Sequence, residues 1–275
     1  MKTVQDILDS SLKAVCNQRP KHEVEQWIAW NLNLEPLDLY LFFDRIIDRN
    51  TILSIQKGVP RLAQGEPLAY IIGRKCFYGY EFIVSRDVLI PRPETELLVE
   101  EAVKLCQKKK TGTIFDIGTG SGCIGLTVKK LFPSWHCILS DISSKALEIA
   151  KKNAEAHNLT VEFLEGSFFQ PFKGKKASCI IANPPYLSSL EWQEADRTVR
   201  DYEPKTALCS GPLGTESYQA LFQDARSYLD PNGVLIVEIG DAEKITQIAS
   251  QYMFSCRTLN DLSNQPRILI ASPEI

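Results

Sequence analysis

The length of 275 residues exceeds that of a small single domain and allows one large or two modest domains, each with its own hydrophobic core. A hydrophobic fraction of 44% and a charged fraction of 24% are ordinary for folded globular proteins and exclude disorder as the default. The 31 basic and 34 acidic side chains leave a net charge of −3, so a nucleic-acid substrate would need a local basic patch to hold its phosphates.

The first 75 residues carry the spacing of amphipathic helices. Apolar residues recur three and four positions apart, and prolines separate the successive stretches. This pattern predicts four or five short helices in a small bundle, which we take as a helical domain over residues 1-75. Ten acidic and ten basic side chains balance over residues 1–85. The neutral charge favours recognition of a protein, or a packing role, over binding of DNA.

Residues 76-93 predict a hairpin followed by a stiff joint. Aromatic and β-branched residues over 76–90 flank Gly79, as in two strands joined by a turn. Pro91-Arg92-Pro93 then favours an extended segment before a helix over about 94–109. We place the domain boundary in this linker, with a second domain over residues 94-275.

Beyond Thr111, short apolar strands alternate with helical stretches, which is typical of βαβ units on a mostly parallel sheet. We predict seven strands, over residues 113–117, 137–141, 161–164, 177–182, 234–239, 254–259 and 267–271. The last two are too close for a crossover helix between them and should form an antiparallel hairpin. The predicted fold class is therefore α/β, a seven-stranded Rossmann-like sheet with its last strand antiparallel, preceded by the helical domain.

A glycine-rich loop at residues 116–122 joins the first predicted strand to a helix. Glycines permit backbone conformations closed to other residues and let a ligand approach the main chain. The G-x-G-x-G spacing differs from the G-x-G-x-x-G of dinucleotide binders, which allows a ligand without phosphate. A tight strand–helix connection is the alternative. The candidate cofactor-binding residues of this loop are Asp116, Gly118, Thr119, Gly120, Ser121 and Gly122.

Two further candidates follow the next strands. Asp141 ends the second predicted strand, where a carboxylate can accept hydrogen bonds from both hydroxyls of a ribose. Its alternative role is the N-cap of the helix predicted over 145–156. Phe168, after the third strand, is placed to flank an adenine ring, although an aromatic side chain there is a core residue nearly as often.

The most specific motif is Asn183-Pro184-Pro185-Tyr186, directly after the fourth predicted strand. Two prolines fix two φ angles and remove two backbone donors, so the loop is rigid and its carbonyls stay free. The Asn183 carboxamide oxygen and the Pro184 carbonyl are two acceptors matched to an –NH₂ group, and Tyr186 adds an aromatic wall. Because open α/β folds bind substrates at such strand ends, these four residues are the candidate catalytic and substrate-binding residues, and Asn183 is also a candidate cofactor-binding residue. A plain rigid turn is the alternative.

Together, this motif, the 116–122 loop and Asp141 resemble the seven-stranded S-adenosylmethionine-dependent amino-methyltransferases. Segments at residues 65–73, 89–96 and 200–204 resemble the HemK/PrmC family, the glutamine methyltransferases of peptide chain release factors. The resemblance implies S-adenosyl-L-methionine as the cofactor. It also implies methylation of the glutamine in the Gly-Gly-Gln motif of class I peptide chain release factors, with the helical domain helping to hold this partner.

The same resemblance implies three second-tier site residues, for which an interdomain salt bridge at the surface is the alternative: Arg92, Glu94 and Glu203. One departure is Ser167, where family members often carry an acidic residue that could receive the adenine amino group. The adenine contact at Ser167 is therefore left open.

Three other functions compete with this interpretation. A ribosomal-protein glutamine methyltransferase would share nearly the same C-terminal motifs. An adenine-N6 methyltransferase acting on nucleic acid presents the same –NH₂ geometry, but the net charge and the neutral N-terminal region disfavour it. A catalytically silent adaptor would keep the fold only to bind a partner.

The eight cysteines form no C-x-x-C pair, and no histidine stands at metal-ligand spacing, so no metal is predicted. Several cysteines, such as Cys137 and Cys179, stand among apolar residues, and we expect all eight to be structural. No segment reaches the roughly 18 to 20 apolar residues that span a bilayer. We expect a cytoplasmic protein that acts as a monomer, without a membrane or a direct nucleic-acid partner.

Overall fold

The computed structural model describes residues 2–15 and 19–274, and Cys16, one of the eight predicted structural cysteines, lies outside them. The chain forms two compact units. The first comprises Met1–Arg74 and Asp196–Tyr202, and the second comprises Lys75–Ala195 and Glu203–Ile275. Among the described residues, no helix is long and apolar enough to cross a membrane. The functional division into residues 1-75, 76-93 and 94-275 stays a prediction.

The first unit is built from short helices. Its described part contains a 3₁₀ helix over Pro36–Leu41, two paired antiparallel strands, β1 (Lys2–Thr3) and β2 (Ile46–Ile47), and the helices α1 (Val4–Val15), α2 (Lys21–Leu32), α3 (Arg49–Ala63) and α4 (Leu68–Ile72). Apolar residues of α1 to α4 share one buried core. The Trp27 indole N–H donates to the Ile55 carbonyl (3.0 Å), which satisfies the polar atom of the largest side chain in this core.

The hairpin predicted over residues 76–90 is confined to β3 (Arg74–Phe77) and β4 (Tyr80–Ile83). Tyr78 and Gly79 join the strands with positive φ angles of 50° and 75°, as a two-residue type I′ turn requires. Residues 84–92 continue as irregular chain. The Ile90 N–H in this stretch donates to the Glu203 carboxylate (3.1 Å) rather than to a neighbouring strand.

The rest of the second unit alternates strands and helices. Short 3₁₀ helices cover Pro93–Thr95, Gln170–Phe172 and Lys205–Ala207. The other elements are, in chain order, α5 (Glu96–Lys108), β5 (Thr113–Ile117), α6 (Cys123–Leu131), β6 (His136–Asp141), α7 (Ser144–Ala156), β7 (Glu162–Glu165), β8 (Ala177–Ala182), β9 (Leu187–Ser188), α8 (Ser189–Glu194), α9 (Arg197–Arg200, within the first unit), β10 (Cys209–Gly211), α10 (Glu216–Tyr228), β11 (Leu229–Glu238), α11 (Ala242–Gln251), β12 (Phe254–Asn260) and β13 (Pro266–Pro273).

Seven strands form the central sheet in the order β12-β13-β11-β8-β5-β6-β7. Neighbouring strands from β11 to β7 run parallel, whereas β13 is antiparallel to both β11 and β12. The predicted fold class and the antiparallel final hairpin are thereby confirmed. The strand order reverses between β5 and β8, and open α/β sheets bind ligands in the crevice at such a switch point.

The sheet is covered on both faces because alternate side chains of its strands point to opposite sides. Phe115, Ile180 and Val237 pack with α10 and α11 into one core. Ile114, Cys179 and Ile236 pack with α5 and α6 into the other core. Cys137 and Cys179 are fully buried in the sheet, as predicted for core thiols. Because helices cover both faces of the sheet, we expect a ligand-binding site at the carboxyl ends of β5, β6 and β8.

Candidate active site

A cavity of about 320 Å³ lies at the carboxyl ends of β5, β6 and β8. The predicted site residues that line it are Arg92, Gly118, Thr119, Gly120, Ser121, Asp141, Ser167, Phe168, Asn183, Pro184 and Pro185. The predicted residues outside the lining are Glu94, Asp116, Gly122, Tyr186 and Glu203. Five separate segments named from the sequence therefore meet around one cavity.

The glycine loop presents its main chain to this cavity. Gly118 (φ 71°) and Gly120 (φ 55°) adopt the left-handed backbone that glycine favours, and a Cβ at either position would meet no protein atom within 4 Å. Asp116 lies behind the loop, where one carboxylate oxygen accepts from the Thr119 hydroxyl (2.6 Å) and the Gly125 N–H (2.9 Å). Burial raises the pKa of Asp116 to about 6 despite these two hydrogen bonds. Asp116 thus ties the loop to the start of α6.

Asp141 connects the glycine loop with the start of α7. Its carboxylate accepts hydrogen bonds from the Gly120 N–H (2.9 Å) and the Ser143 N–H (2.9 Å). The side chain of Ser143 caps α7 by accepting from the Ala146 N–H (3.2 Å), so the N-cap role considered for Asp141 is wrong. Burial raises the pKa of Asp141 against the effect of its backbone donors. A carboxylate has about four acceptor positions, so about two remain for ligand hydroxyls.

Asn183 is held from behind by a chain of hydrogen bonds. Its carboxamide nitrogen donates to the Thr95 hydroxyl (3.2 Å), and that hydroxyl donates to the Glu238 carboxylate (2.6 Å). Among the described residues, none donates a hydrogen bond to the Asn183 side-chain oxygen or to the Pro184 carbonyl. Both residues line the cavity, so two acceptors are available there to an –NH₂ group.

Tyr186 does not line the cavity. Its ring is half-buried against the core on the side of β11, and a Cβ added at Gly240 would come within 3.0 Å of it. Its backbone N–H donates to the Leu208 carbonyl (3.1 Å), and burial raises the pKa of its phenol. The contacts of Tyr186 therefore support the rigid loop, and a wall for the substrate stays a prediction.

The second-tier residues are placed in different ways. Glu203 is buried, and its carboxylate accepts from the Arg92 guanidinium and from the Ile90 N–H (3.1 Å). Arg92 lines the cavity, whereas Glu94 is exposed. Both partners of the Arg92–Glu203 pair belong to the second unit, so the alternative of an interdomain salt bridge does not hold.

Asn153 is a further site-shaping residue, which the sequence analysis missed. It is fully buried in α7, and its carboxamide nitrogen donates to the carbonyls of Ser121 (2.8 Å) and Ile83 (3.0 Å). Its carboxamide oxygen accepts from the Ile83 N–H (2.6 Å). The available signal was an asparagine on the apolar face of a predicted helix, at helical spacing from Ile149 and Ala150.

The chain resembles solved methyltransferases in fold. A methyltransferase from Pyrococcus furiosus superposes with a TM-score of 0.52 over 80% of this chain and 100% of its own, at 17% identity. The Thermus thermophilus 16S rRNA N2 G1207 methyltransferase, solved with AdoMet and guanosine, gives 0.54 over 73% of this chain and 50% of its own, at 15% identity. Identities this low show the fold alone.

Sequence comparisons identify the family. The PrmC N-terminal domain model matches residues 8–73, and the methyltransferase small domain model matches residues 93–200. The release factor glutamine methyltransferase of Geobacter sulfurreducens is 35% identical over 90% of this chain and 87% of its own length. That of Koribacter versatilis is 32% identical over 98% of both. With both domain models in chain order and relatives matched over nearly their whole length, the chain belongs to the release factor glutamine methyltransferase family.

Proposed function

We propose that this chain transfers a methyl group from S-adenosyl-L-methionine to the side-chain amide nitrogen of glutamine in the Gly-Gly-Gln motif of class I peptide chain release factors. The observation that carries the proposal is the pair of acceptors at Asn183 and Pro184, which line the same cavity as the open main chain of Gly118 and Gly120. Family membership supports release factor glutamine as the substrate. We also propose a cytoplasmic location, because release factors act in translation.

The residues around the cavity fit the chemistry of the cofactor. The main chain at Gly118 and Gly120 leaves the space that a side chain would fill, and Asp141 keeps acceptor positions for ribose hydroxyls. We assign the loop from Gly118 to Ser121 to the amino acid end of the cofactor, and Phe168 to one face of the adenine. The bound cofactor supplies a methyl group on a positively charged sulfonium, which makes that carbon electrophilic.

An amide nitrogen is a poor nucleophile because its lone pair is delocalised into the carbonyl. The Asn183 oxygen and the Pro184 carbonyl would accept hydrogen bonds from the two N–H groups of the substrate –NH₂. These bonds orient the nitrogen and favour the electron-rich form that attacks the methyl group. None of the described residues that line the cavity is a histidine. The nitrogen loses one proton after it gains the methyl group, and water can accept that proton.

The helical unit and the state of assembly belong to the same proposal. We assign residues 1-75 to holding the release factor, and the balanced charge over residues 1–85 offers nothing to a phosphate backbone. The linker over residues 76-93 contributes Arg92 to the cavity, and residues 94-275 carry the cofactor and the chemistry. One protomer is sufficient, because a single chain supplies every group assigned here.

Labelled cofactor and a panel of candidate substrates test the function. The panel contains a class I release factor, the same factor with its Gly-Gly-Gln glutamine replaced by alanine, a ribosomal protein and a duplex oligonucleotide. We expect label only on the intact release factor, with mass spectrometry locating one methyl group on that glutamine. Label on the ribosomal protein or the oligonucleotide alone, or on the alanine-substituted factor, would overturn the proposal.

A further inference from the structure

Two side chains from distant parts of the sequence are linked by hydrogen bonds to Asn183, Thr95 directly and Glu238 through Thr95. Thr95 ends the 3₁₀ helix before α5, and Glu238 ends β11. They are 3% and 5% exposed, so their hydrogen bond is shielded from water. The proposed methyl transfer assigns no role to either of them.

The two hydrogen bonds that link Asn183, Thr95 and Glu238 have a fixed donor-to-acceptor direction. A threonine hydroxyl has one hydrogen, and Thr95 donates it to the Glu238 carboxylate (2.6 Å). Towards Asn183 the same hydroxyl can only accept, so the group that faces it at 3.2 Å is the carboxamide –NH₂. The opposite orientation of the carboxamide would place two acceptor oxygens against each other. The planar amide therefore turns its oxygen away from Thr95.

We infer that Thr95 and Glu238 are positioning residues that keep the carboxamide oxygen of Asn183 directed at the substrate –NH₂ group. The inference rests on the proposed function, because only a substrate –NH₂ needs an acceptor at this point. An asparagine turned the other way would present its own –NH₂ to that of the substrate, and no hydrogen bond could form. The ionised carboxylate of Glu238 thus selects the productive orientation through Thr95.

Several charged or titratable groups surround Glu238. Burial raises its pKa to about 7, and the hydrogen bond from Thr95 partly opposes this effect. Positive charge on Arg267 and Arg92 favours the carboxylate, whereas negative charge on Glu94 disfavours it. The phenols of Tyr186 and Tyr218 complete the surroundings, and the Tyr218 hydroxyl donates to the Glu238 backbone carbonyl (2.9 Å).

Protonation of Glu238 reverses the donor and acceptor roles in the hydrogen bonds that link it through Thr95 to Asn183. A neutral carboxyl group can donate to Thr95, which frees the Thr95 hydrogen to bond the Asn183 oxygen. Methyl transfer should therefore fall as the pH drops through about 7, by up to about tenfold per pH unit. Asp116, with a pKa of about 6, titrates in wild type and in every variant. The test is therefore the difference between the pH profile of each variant and that of wild type.

Single-turnover methyl transfer to the release factor, at saturating cofactor and from about pH 5.5 to about pH 9, tests the inference. Thr95→Val removes the hydroxyl, and we expect a rate about tenfold below wild type at high pH. The fall in rate as the pH drops through about 7, the acidic limb of the pH profile, should be absent from this variant. Thr95→Ser keeps the hydroxyl and should restore both. Glu238→Gln cannot titrate and should also lack that limb. An unchanged limb in Thr95→Val and Glu238→Gln would overturn the inference.

Controls separate positioning from general damage. Thr127→Val removes a buried hydroxyl that has no hydrogen-bond partner among the described residues, and it should leave the rate and the limb as in wild type. Urea unfolding against pH gives a readout without substrate. Loss of the Thr95 hydrogen bond should raise the pKa of Glu238, so the pH at which the free energy of unfolding falls should be higher in Thr95→Val than in wild type. An unchanged pH would contradict the inference. A wild-type protein that transfers no methyl group would instead refute the proposed function.

Discussion

Replacing Asn153 with alanine should damage both stability and cofactor binding. The three hydrogen bonds of its carboxamide join α7 to Ile83 and to the Ser121 carbonyl of the glycine loop. At about 1 kcal/mol for each bond, Asn153→Ala should lower the free energy of unfolding by about 3 kcal/mol. The bond to Ser121 holds the loop itself, so losing its contribution should weaken cofactor binding by about fivefold.

Urea unfolding and calorimetric titration with S-adenosylmethionine measure the two effects. The matched control is Asn260→Ala, which removes an exposed side chain bonded only to Asn264 among the described residues. The control should stay within about 0.5 kcal/mol of wild type and bind the cofactor normally. A loss for Asn153→Ala no larger than that of the control would refute the role given to its three bonds.

Three other changes test separate parts of the site. Asp141→Ala should weaken cofactor binding by about tenfold to a hundredfold, and unchanged affinity by calorimetry would remove the ribose assignment. Glu203→Gln leaves Arg92 without its charged partner and should lower the free energy of unfolding by about 2 kcal/mol in urea, whereas wild-type stability would contradict the buried pair. The raised pKa of Glu238 means that the folded protein keeps a proton which the unfolded chain has lost. Between pH 5 and 8, stability should therefore fall by about 3 kcal/mol more in wild type than in Glu238→Gln, and parallel curves would show that this carboxyl is not perturbed.

The strands of the sheet were predictable because each is specified by residues that are close together in the sequence. Strands over residues 113–117 and 177–182 were predicted residue for residue, since each is a short apolar run bounded by turn residues. β11 begins at Leu229 rather than at the predicted residue 234, because the pairing with β8 continues past an irregularity between Leu229 and Val234. The pair β9 and β10 was not predicted, since strands of two and three residues leave no periodic pattern.

The site was predictable where a motif lies at a strand end. The glycine loop, Asp141 and Asn183 were identified because parallel strands bring their carboxyl ends to one edge of the sheet. Contacts behind these residues depend on folding together distant segments. Asn153 reaches Ile83 across 70 positions, and Thr95 reaches Glu238 across 143. The motif also could not show that the ring of Tyr186 packs on the core instead of lining the cavity.

Single-turnover methyl transfer by Asn183→Ala tests the central claim most directly, with thermal unfolding measured on the same protein. Asn183 makes one side-chain hydrogen bond to a described residue, so its loss should change the melting temperature little. Loss of a transition-state hydrogen bond of about 3 kcal/mol should slow transfer to the release factor by about a hundredfold or more. Asn183→Asp, which keeps an acceptor oxygen, gives the comparison for charge and geometry. Near-normal transfer by Asn183→Ala, or a loss explained wholly by unfolding, would contradict the account.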